Sequence, residues 1–261
     1  MSLKSKVALI TGSTSGIGLG IAQVLAGKGC NIIINGFGDK DAIEKERAGI
    51  EKNYGVKCIF LEADISKYDS VAAMVAEAEK QMGSIDILVN NAGIQFTSKI
   101  EDFPVEKWQA VIDTNLSGVF YGIKAALPGM RKRNFGRIIN IASAHGLVAS
   151  IEKAAYVAAK HGVVGISKVV ALETGDVNVT CNSICPGWVL TPLVQKQIDD
   201  KAKKEGKSAD DIKHEMLSEK QAKIEFQTPE EIGEMVAYLA SDFARTVTGA
   251  AFSIDGGWVA G

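Results

Sequence analysis

Short apolar runs rich in β-branched residues alternate along the whole chain with longer, alanine-rich stretches. The short runs predict seven strands, at 6–11, 31–35, 57–63, 85–91, 136–143, 177–184 and 250–255. The stretches between them, such as 16–28, 66–82 and 150–173, carry apolar residues at helical spacing. Nearly continuous apolar strands that alternate with helices are typical of a parallel sheet covered on both faces. The pattern therefore predicts an α/β fold, in which residues 1–261 form a single doubly wound domain around a seven-stranded parallel sheet.

One segment interrupts this alternation. Residues 189–228 are highly charged and helix-prone, and they contain no strand-like run. An insertion that follows the C-terminal end of a strand stands where open α/β sheets bind ligands. We predict that this segment is a small helical substrate lid, the alternative being a solvated surface excursion.

Composition and charge narrow the classes of function. A net charge of −2 offers no basic field for nucleic acid or for an anionic membrane surface. The N-terminus resembles no signal peptide, and no uncharged apolar run reaches the roughly 20 residues that span a bilayer. The spacing of Cys30, Cys58, Cys181 and Cys185 matches neither a zinc site nor a redox motif. We expect a cytoplasmic protein with buried free cysteines, no metal site, and neither nucleic-acid nor membrane partners.

A glycine-rich turn joins the first predicted strand to the first helix. Gly12, Gly16 and Gly18 lie in "ALITGSTSGIGLG". Glycine permits the sharp turn and lets backbone approach a pyrophosphate, which then rests on the N–H groups of the helix N-terminus. Because the turn opens a βαβ series, it predicts a dinucleotide site.

The order of further motifs carries a family resemblance. "TGSTSGIG", "NNAG" at 90–93, Asn115, Ser143, the pair Tyr156/Lys160 and "PGW" at 186–188 resemble the classical short-chain dehydrogenases/reductases over essentially the whole chain. The resemblance implies a Rossmann-like fold, a nicotinamide cofactor, and hydride transfer between that cofactor and a carbonyl or alcohol carbon. It also implies a homotetramer, with 104–132 and 150–173 as the expected dimer face.

The choice between NAD and NADP depends on the end of the second strand. An NADP enzyme needs a cation for the 2′-phosphate, but Ser15, Gly36 and Phe37 occupy the usual positions. Asp39 lies a few residues too late to be the usual acidic marker of NAD enzymes. We predict NAD because no basic partner is present. The resemblance assigns Asp64 to the adenine amine, and a helix N-cap is the alternative or additional role.

The residues that the resemblance assigns to cofactor binding are Gly12, Thr14, Ser15, Gly16, Ile17, Gly18, Phe37, Asp64, Ile65, Asn91, Ala92, Gly93, Tyr156, Lys160, Pro186, Gly187, Trp188, Val189 and Thr191.

Four residues are candidates for catalysis. Tyr156 and Lys160 are four residues apart and share one face of a helix. A nearby lysine ammonium favours the phenolate and lowers the pKa of the tyrosine toward neutrality. The resemblance makes Tyr156 the general acid/base and Lys160 its tuning residue, which also binds the ribose. It makes Ser143 the residue that orients the reacting oxygen, and Asn115 the end of a proton relay through water to Lys160.

Two further polar residues in the same stretch suggest a substrate. His145 follows Ser143 by two residues and shares its face if the strand continues, while Lys153 precedes Tyr156 by three residues on the same helical face. A cation beside a neutral donor suits a small carboxylate. The alternatives are a solvated lysine and a packed histidine.

Additional motifs sharpen the resemblance toward one branch of the family. "AGIQF", "ICPGWV", "LVQKQI" and "DGGW" resemble the members that interconvert D-3-hydroxybutyrate and acetoacetate with NAD. The resemblance implies a small hydroxy-acid or keto-acid substrate, bound by Gln95, Ser143, His145, Lys153, Tyr156, Trp188, Gln197 and Trp258. Phe96, Leu190 and the C-terminus "WVAG" depart from that branch and bear on lid closure and substrate range.

Two other functions compete with this interpretation. One is a dehydrogenase or reductase for another small alcohol, a sugar or a 3-oxoacyl thioester, against which Gln95, His145 and Lys153 argue. The other is a nucleotide-binding regulator on the same fold. Regulators of that kind often lose the Tyr/Lys pair that this chain keeps.

Overall fold

The computed structural model describes residues 3–260, which contain a single sheet of seven parallel strands. The strands are β1 (Val7–Ile10), β2 (Asn31–Ile34), β3 (Cys58–Phe60), β4 (Ile87–Asn90), β5 (Gly136–Ile141), β6 (Val179–Pro186) and β7 (Ala251–Ile254). Their order is β3-β2-β1-β4-β5-β6-β7, so the direction of winding reverses between β1 and β4. The predicted doubly wound sheet is confirmed, and this reversal opens a crevice at the carboxyl ends of the strands.

Nine α-helices occur among the described residues. They are α1 (Gly16–Gly27), α2 (Lys40–Tyr54), α3 (Tyr68–Met82), α4 (Val105–Ile112), α5 (Gly118–Arg133), α6 (Ala154–Glu173), α7 (Pro192–Glu205), α8 (Ala209–Ser218) and α9 (Pro229–Ala240). A π-helical turn at Asp113–Ser117 joins α4 to α5. The stretch predicted at 104–132 is therefore helical but not one regular helix.

Two apolar cores cover the two faces of the sheet. Alternate strand residues divide between them, because successive side chains of a strand point to opposite faces. Ile10 and Ile32 pack with residues of α1 and α9, whereas Leu9 and Ile33 pack with residues of α3, α5 and α6. This double burial explains why the strands read as continuous apolar runs. All four cysteines are buried and unpaired, as predicted.

Residues 189–228 form a helical excursion with a small core of its own. Ile198, Ala202 and Ile212 bury their side chains between α7 and α8. The two ends of the excursion meet in an isolated parallel bridge between Val189 and Gln227. Thr191 caps α7, and Ser208 forms a capping box with Asp211 at the start of α8. The predicted helical character is confirmed, and its action as a lid stays a prediction.

One described helix, α6, is long and apolar enough to cross a membrane by length and composition alone, with a mean hydropathy of 1.3. Its residues Val163, Val164 and Val170 are buried in the core beneath the sheet. Core helices of globular proteins pass the same test, so the length of α6 is weak evidence for a membrane span.

A close helix crossing gives a test of this packing. A Cβ at Gly20 in α1 would lie 2.4 Å from the Cβ of Pro229 and 2.9 Å from its carbonyl carbon at the start of α9. We therefore expect Gly20→Ala to lower the free energy of unfolding by about 1–3 kcal/mol. Gly49 in α2 has nothing within 4 Å of a built Cβ, so Gly49→Ala should raise it by about 0.5–1 kcal/mol. Urea unfolding of both variants makes the comparison, and equal effects would contradict this account.

Candidate active site

Two adjoining cavities lie at the carboxyl ends of the strands. The larger encloses about 770 Å³ and the smaller about 480 Å³. They share walls formed by Ile17, Asn91, Gly93, Ile94, Thr191 and Leu193. Together they form one cleft across the point where the strand order reverses, which is where such sheets bind ligands.

The smaller cavity fits a diphosphate at the N-terminus of α1. Gly12 and Gly16 have φ values of 62° and 56°, a backbone region that side-chain-bearing residues rarely adopt. A Cβ at Gly12 would lie 2.8 Å from the Cα of Ala92. Ser15 is the N-cap of α1, but its side chain makes no capping hydrogen bond. The first N–H groups of this helix are therefore not taken by a side-chain cap and can bind an anion.

Gly18 contributes to this turn without lining either cavity. Its built Cβ would lie 2.4 Å from the Gly12 carbonyl oxygen and 2.6 Å from the Nδ2 atom of Asn91. That nitrogen donates to the carbonyl oxygens of Thr11 and Gly12 at 2.9 Å each. Gly18 thus allows the tight packing that holds the glycine-rich turn against the end of β4.

The other end of the smaller cavity is lined by Phe37, Asp64 and Ile65, among others. The carboxylate of Asp64 accepts hydrogen bonds from the Ser66 N–H at 2.9 Å and the Ser66 hydroxyl at 2.7 Å, which lower its pKa. Because α3 begins at Tyr68 with Lys67 as its N-cap, Asp64 does not cap that helix. No basic residue occurs among the described residues that line this cavity.

Asp39 is occupied elsewhere. Its carboxylate accepts a hydrogen bond from the Ala42 N–H at 2.9 Å and so caps α2.

The larger cavity brings together most of the residues expected to act on or bind a substrate. It is lined by Gln95, Ser143, His145, Lys153, Tyr156, Lys160, Trp188, Gln197 and Trp258. The expected cofactor residues Pro186, Gly187, Val189 and Thr191 line it as well. The remaining expected cofactor residues line the smaller cavity, apart from Gly18: Gly12, Thr14, Ser15, Gly16, Ile17, Phe37, Asp64, Ile65, Asn91, Ala92 and Gly93.

Helix α6 is held on the sheet by two polar side chains. The Lys160 ammonium donates to the Ile141 carbonyl oxygen at the end of β5 over 2.7 Å. Two turns beyond, the Ser167 hydroxyl accepts from the Asn140 side chain and contacts the Ser183 hydroxyl, each at 2.8 Å. These bonds fix the register of α6 against β5 and β6, and so they place Tyr156 over the end of β5.

Burial dominates the acid–base properties of the Tyr156/Lys160 pair. It lowers the pKa of Lys160 to about 8 and raises the pKa of Tyr156, against which a hydrogen bond with Ser143 acts in the lowering direction. The Lys160 nitrogen lies 5.5 Å from the centre of the Tyr156 ring. The direction for Tyr156 is opposite to the sequence-based expectation, because desolvation of the phenolate outweighs the favourable interactions in the protein itself.

Asn115 lies outside both cavities, in the π-helical turn between α4 and α5. Its side chain is fully buried and accepts from the Ile94 N–H while donating to the Ile94 carbonyl oxygen, both at 2.8 Å. A Cβ built on Gly93 would lie 3.4 Å from its amide oxygen and 3.8 Å from the Lys160 nitrogen. Asn115 therefore fixes the loop after β4 and lies behind Gly93, close to Lys160.

His145 and Lys153 reach the cavity by a different backbone path from the predicted one. β5 ends at Ile141, and the Ser143 side chain caps a 3-10 turn at Ala144–Gly146 that carries His145. Lys153 is the N-cap of α6 and not part of its helical face. The assumptions of a continuing strand and helix were wrong, although both side chains line the same cavity as predicted.

A direct bond joins the loop of Lys153 to the loop of Gln95. Glu152 has a φ of 63°, and in this conformation its carbonyl oxygen accepts from the Ser98 N–H at 2.9 Å. The two walls of the cavity that carry Gln95 and Lys153 are thereby tied together.

The polar end of the cavity combines a cation with a neutral imidazole. Burial, and then the charge of Lys153, lower the pKa of His145 to about 4. Its Nε2 atom lies 3.0 Å from the Ser150 hydroxyl and its Nδ1 atom 3.4 Å from the Ser143 hydroxyl. Burial lowers the pKa of Lys153. No carboxylate occurs among the described residues that line this cavity. This arrangement can bind a small carboxylate.

Two tryptophans form the opposite wall. Trp188 and Trp258 stack with ring centres 6.4 Å apart, and Trp258 lies edge-on to His145 at 5.0 Å. Two of the departures noted in the sequence lie outside the lining of this cavity: Leu190 packs in the small core of the excursion, and Phe96 packs on Phe103. The third, the C-terminus, includes Gly261, which lies outside the described residues.

Several cavity residues were missed from the sequence. Asn35 follows β2 directly, and its amide oxygen accepts from the Gly12 N–H at 3.3 Å while its nitrogen donates to the Leu61 carbonyl oxygen at 3.0 Å. A polar residue directly after the three isoleucines of β2 was the available signal. Thr97, Thr114 and Leu193 carry no such signal. Thr97 lies in the loop after β4, Thr114 in the π-helical turn and Leu193 in the first turn of α7, and only the packing of these segments brings them to the cavities.

The chain is similar to known proteins over nearly its whole length. A family model described as enoyl-(acyl carrier protein) reductase matches residues 12–259. The chain is 54% identical over 258 residues to the D-beta-hydroxybutyrate dehydrogenase of Cupriavidus necator, covering 99% of each protein. It is 51% identical over 259 residues to the D-beta-hydroxybutyrate dehydrogenase of Rhizobium meliloti, covering 98% of this chain and 99% of that one. A crystal structure of actinorhodin polyketide ketoreductase with NADPH aligns with a TM-score of 0.90 at 34% identity, covering 99% of both chains.

The low pKa of His145 predicts a pH-dependent stability. Between pH 6.5 and about 4 the imidazole is protonated in the unfolded chain but not in the folded protein. The unfolded state then binds more protons, so lowering the pH through this window costs about 1–2 kcal/mol of stability after solvent screening. His145→Gln should lose less stability than the wild type between pH 7.5 and pH 4.5, measured by urea unfolding.

The matched control is His214→Gln on the exposed face of α8. It should keep the wild-type dependence on pH. Equal pH dependence in the wild type and His145→Gln would contradict the assignment of a neutral buried imidazole.

Proposed function

Because this chain belongs to the short-chain dehydrogenase/reductase family, we propose that it interconverts D-3-hydroxybutyrate and acetoacetate with NAD. The observation that carries the proposal is the cation Lys153 beside the neutral His145, in the cavity that also holds Ser143 and Tyr156. The names of the two curated relatives support the same substrate. A four-carbon hydroxy acid needs one site for its carboxylate and one small apolar wall for its methyl end, in the same cavity as a general acid/base.

The substrate carboxylate would bind at the polar end of the cavity. Lys153 supplies the charge and His145 a neutral donor, while Gln95 and Gln197 add amide donors from the loop after β4 and from α7. Trp188 and Trp258 would pack on the methyl end. In this orientation the carbon that bears the hydroxyl faces Ser143 and Tyr156.

The residues of this chain would handle the proton of the reaction. Bound nicotinamide supplies the hydride acceptor for oxidation and the hydride donor for reduction. During oxidation the Tyr156 phenolate takes the proton of the substrate hydroxyl, and during reduction the phenol returns it to the carbonyl oxygen. Ser143 donates a hydrogen bond to that oxygen. The Lys160 ammonium favours the phenolate, and Asn115 completes a relay through water to Lys160.

The residues around the smaller cavity fit a dinucleotide. The glycine-rich turn and the N-terminus of α1 would hold the pyrophosphate, with Asp64 and Ile65 beside the adenine. Family membership and the NADPH-bound relative indicate a nicotinamide nucleotide. The proposal of NAD is supported by the absence of a basic residue among the described residues lining this cavity, and by the exposed Phe37 at the tip of β2.

Reduction of a 3-oxoacyl thioester is the second candidate. The description of the matching family model and the ketoreductase structure favour it. A thioester carries no carboxylate at the position that Lys153 serves, so the two candidates differ in their dependence on that residue.

The proposal also includes a cytoplasmic homotetramer. The four buried, unpaired cysteines suit a reducing compartment. Exposed apolar side chains on the expected dimer face, including Val105, Phe120, Val169 and Leu172, suit burial against further copies of the chain.

Replacement of Lys153 tests the substrate. Lys153→Met should raise the KM for D-3-hydroxybutyrate about 10- to 100-fold with kcat much less affected, because a charged hydrogen bond to the carboxylate is lost. Lys45→Met, on the exposed face of α2 and outside the proposed dimer face, is the control and should behave as the wild type. The assay follows NADH formation with D- and L-3-hydroxybutyrate and other hydroxy acids. An unchanged KM in Lys153→Met would refute the carboxylate site.

Replacement of Tyr156 tests the chemistry separately. Tyr156→Phe should lower kcat by about 10²- to 10⁴-fold, because it removes the proton-transfer group and little volume. Binding of NADH, followed by its fluorescence, should persist. Retention of wild-type kcat would remove Tyr156 from the catalytic role.

A further inference from the structure

A buried glutamine lies at the base of the excursion formed by α7 and α8. Gln221 follows α8 and is 4% exposed. Its Oε1 atom accepts from the Trp188 N–H at 3.1 Å, and its Nε2 atom donates to the carbonyl oxygens of Lys223 and Glu225, both at 3.1 Å. Both N–H donors and the amide oxygen are therefore used, which is the condition under which a buried amide stabilises one arrangement.

The same carboxamide is enclosed by two glycines from different parts of the chain. A Cβ at Gly187, directly after β6, would lie 2.9 Å from its oxygen, and a Cβ at Gly256, after β7, would lie 2.6 Å from its nitrogen. The Lys223 N–H donates to the Gly256 carbonyl oxygen at 2.8 Å. Gln221 thus lies between the turn that carries Trp188 and the turn that carries Trp258.

A second glutamine in this region makes an informative contrast. Gln227 is 8% exposed, and its backbone bonds to Trp188 and Leu190 at 2.9 and 2.8 Å. Its side chain has one long contact, of 3.5 Å to the Glu225 carbonyl oxygen, and its Oε1 atom has no partner. The base of the excursion is therefore held by the backbone at Gln227 but by the side chain at Gln221.

We propose that Gln221 is a positioning residue that couples the excursion to the two tryptophans of the substrate cavity. It holds the Trp188 backbone and fills the space against Gly256, so the excursion and the tryptophan wall keep one mutual arrangement. The spacing of that wall, which limits the length of substrate that fits beyond Ser143 and Tyr156, then depends on the Gln221 carboxamide. This consequence rests on the proposed hydroxy-acid dehydrogenase activity, whereas the coupling itself does not.

Gln221→Met tests the proposal, with Gln227→Met as the matched control. Methionine keeps the length and burial but removes every hydrogen bond of the carboxamide. We expect Gln221→Met to raise the KM for D-3-hydroxybutyrate about tenfold with kcat changed less than about threefold. The preference for 3-hydroxybutyrate over its one-carbon-longer homologue should fall as well. Gln227→Met should leave both quantities at wild-type values.

Tryptophan emission gives a readout that needs no turnover. The chain has three tryptophans, so a Trp108→Phe background leaves only Trp188 and Trp258. In that background Gln221→Met should shift the emission to longer wavelength and Gln227→Met should not. If the wild type proves inactive on hydroxy acids, the proposed function fails while this measurement still tests the coupling.

The outcomes that overturn the coupling are specific. They are an unchanged KM, chain-length preference and emission in folded Gln221→Met, or equal changes in Gln227→Met. Should Gln221→Met not fold, Gln221→Glu retains the shape and the acceptor but loses both donors to Lys223 and Glu225. It should then raise the KM and shift the emission in the same directions, and wild-type behaviour in this variant would equally refute the proposal.

Discussion

The hydrogen bond from the Lys160 ammonium to the Ile141 carbonyl oxygen is the interaction on which the geometry of this site depends. It joins α6 to the last residue of β5 in a buried environment, where an unmatched charge would be costly. Two turns further along α6, Ser167 accepts a hydrogen bond from the Asn140 side chain. These two contacts leave α6 little freedom to slide along the sheet. Tyr156, one turn before Lys160, therefore meets Ser143 just beyond the end of the same strand.

Parallel pairing then assembles the rest of the cleft. All seven strands end at the same edge of the sheet, and the segment that follows each of them contributes to the cleft or its wall, from the glycine-rich turn after β1 to Trp258 after β7. The reversal between β1 and β4 separates the loops into two groups and leaves space between them. The cleft can therefore hold a nucleotide at one end and a separate small molecule at the other.

Burial has a common electrostatic effect on the larger cavity. It raises the pKa of Tyr156 and lowers the pKa values of Lys160 and His145, because the charged forms lose hydration. Each of the three groups therefore favours its neutral form. For His145 the result is a neutral donor over the physiological range of pH. For Tyr156 the result is that a phenolate needs positive charge near it, which Lys160 is placed to supply. The same desolvation would strengthen the attraction of Lys153 for any carboxylate bound in the cavity.

The sequence alone determined the seven strands, their parallel arrangement and most of the residues that line the cleft. It could do so because apolar periodicity and strand-end motifs are local features, and because parallel pairing brings distant strand ends to one edge. It did not determine how His145 and Lys153 reach the cavity, since the 3-10 turn after Ser143 and the N-cap at Lys153 depend on how two loops pack together. The direction of the Tyr156 pKa shift and the carboxamide contacts of Gln221 were also decided only by the tertiary structure. Both depend on burial and on contacts between segments far apart in the chain, which no local pattern of residues encodes.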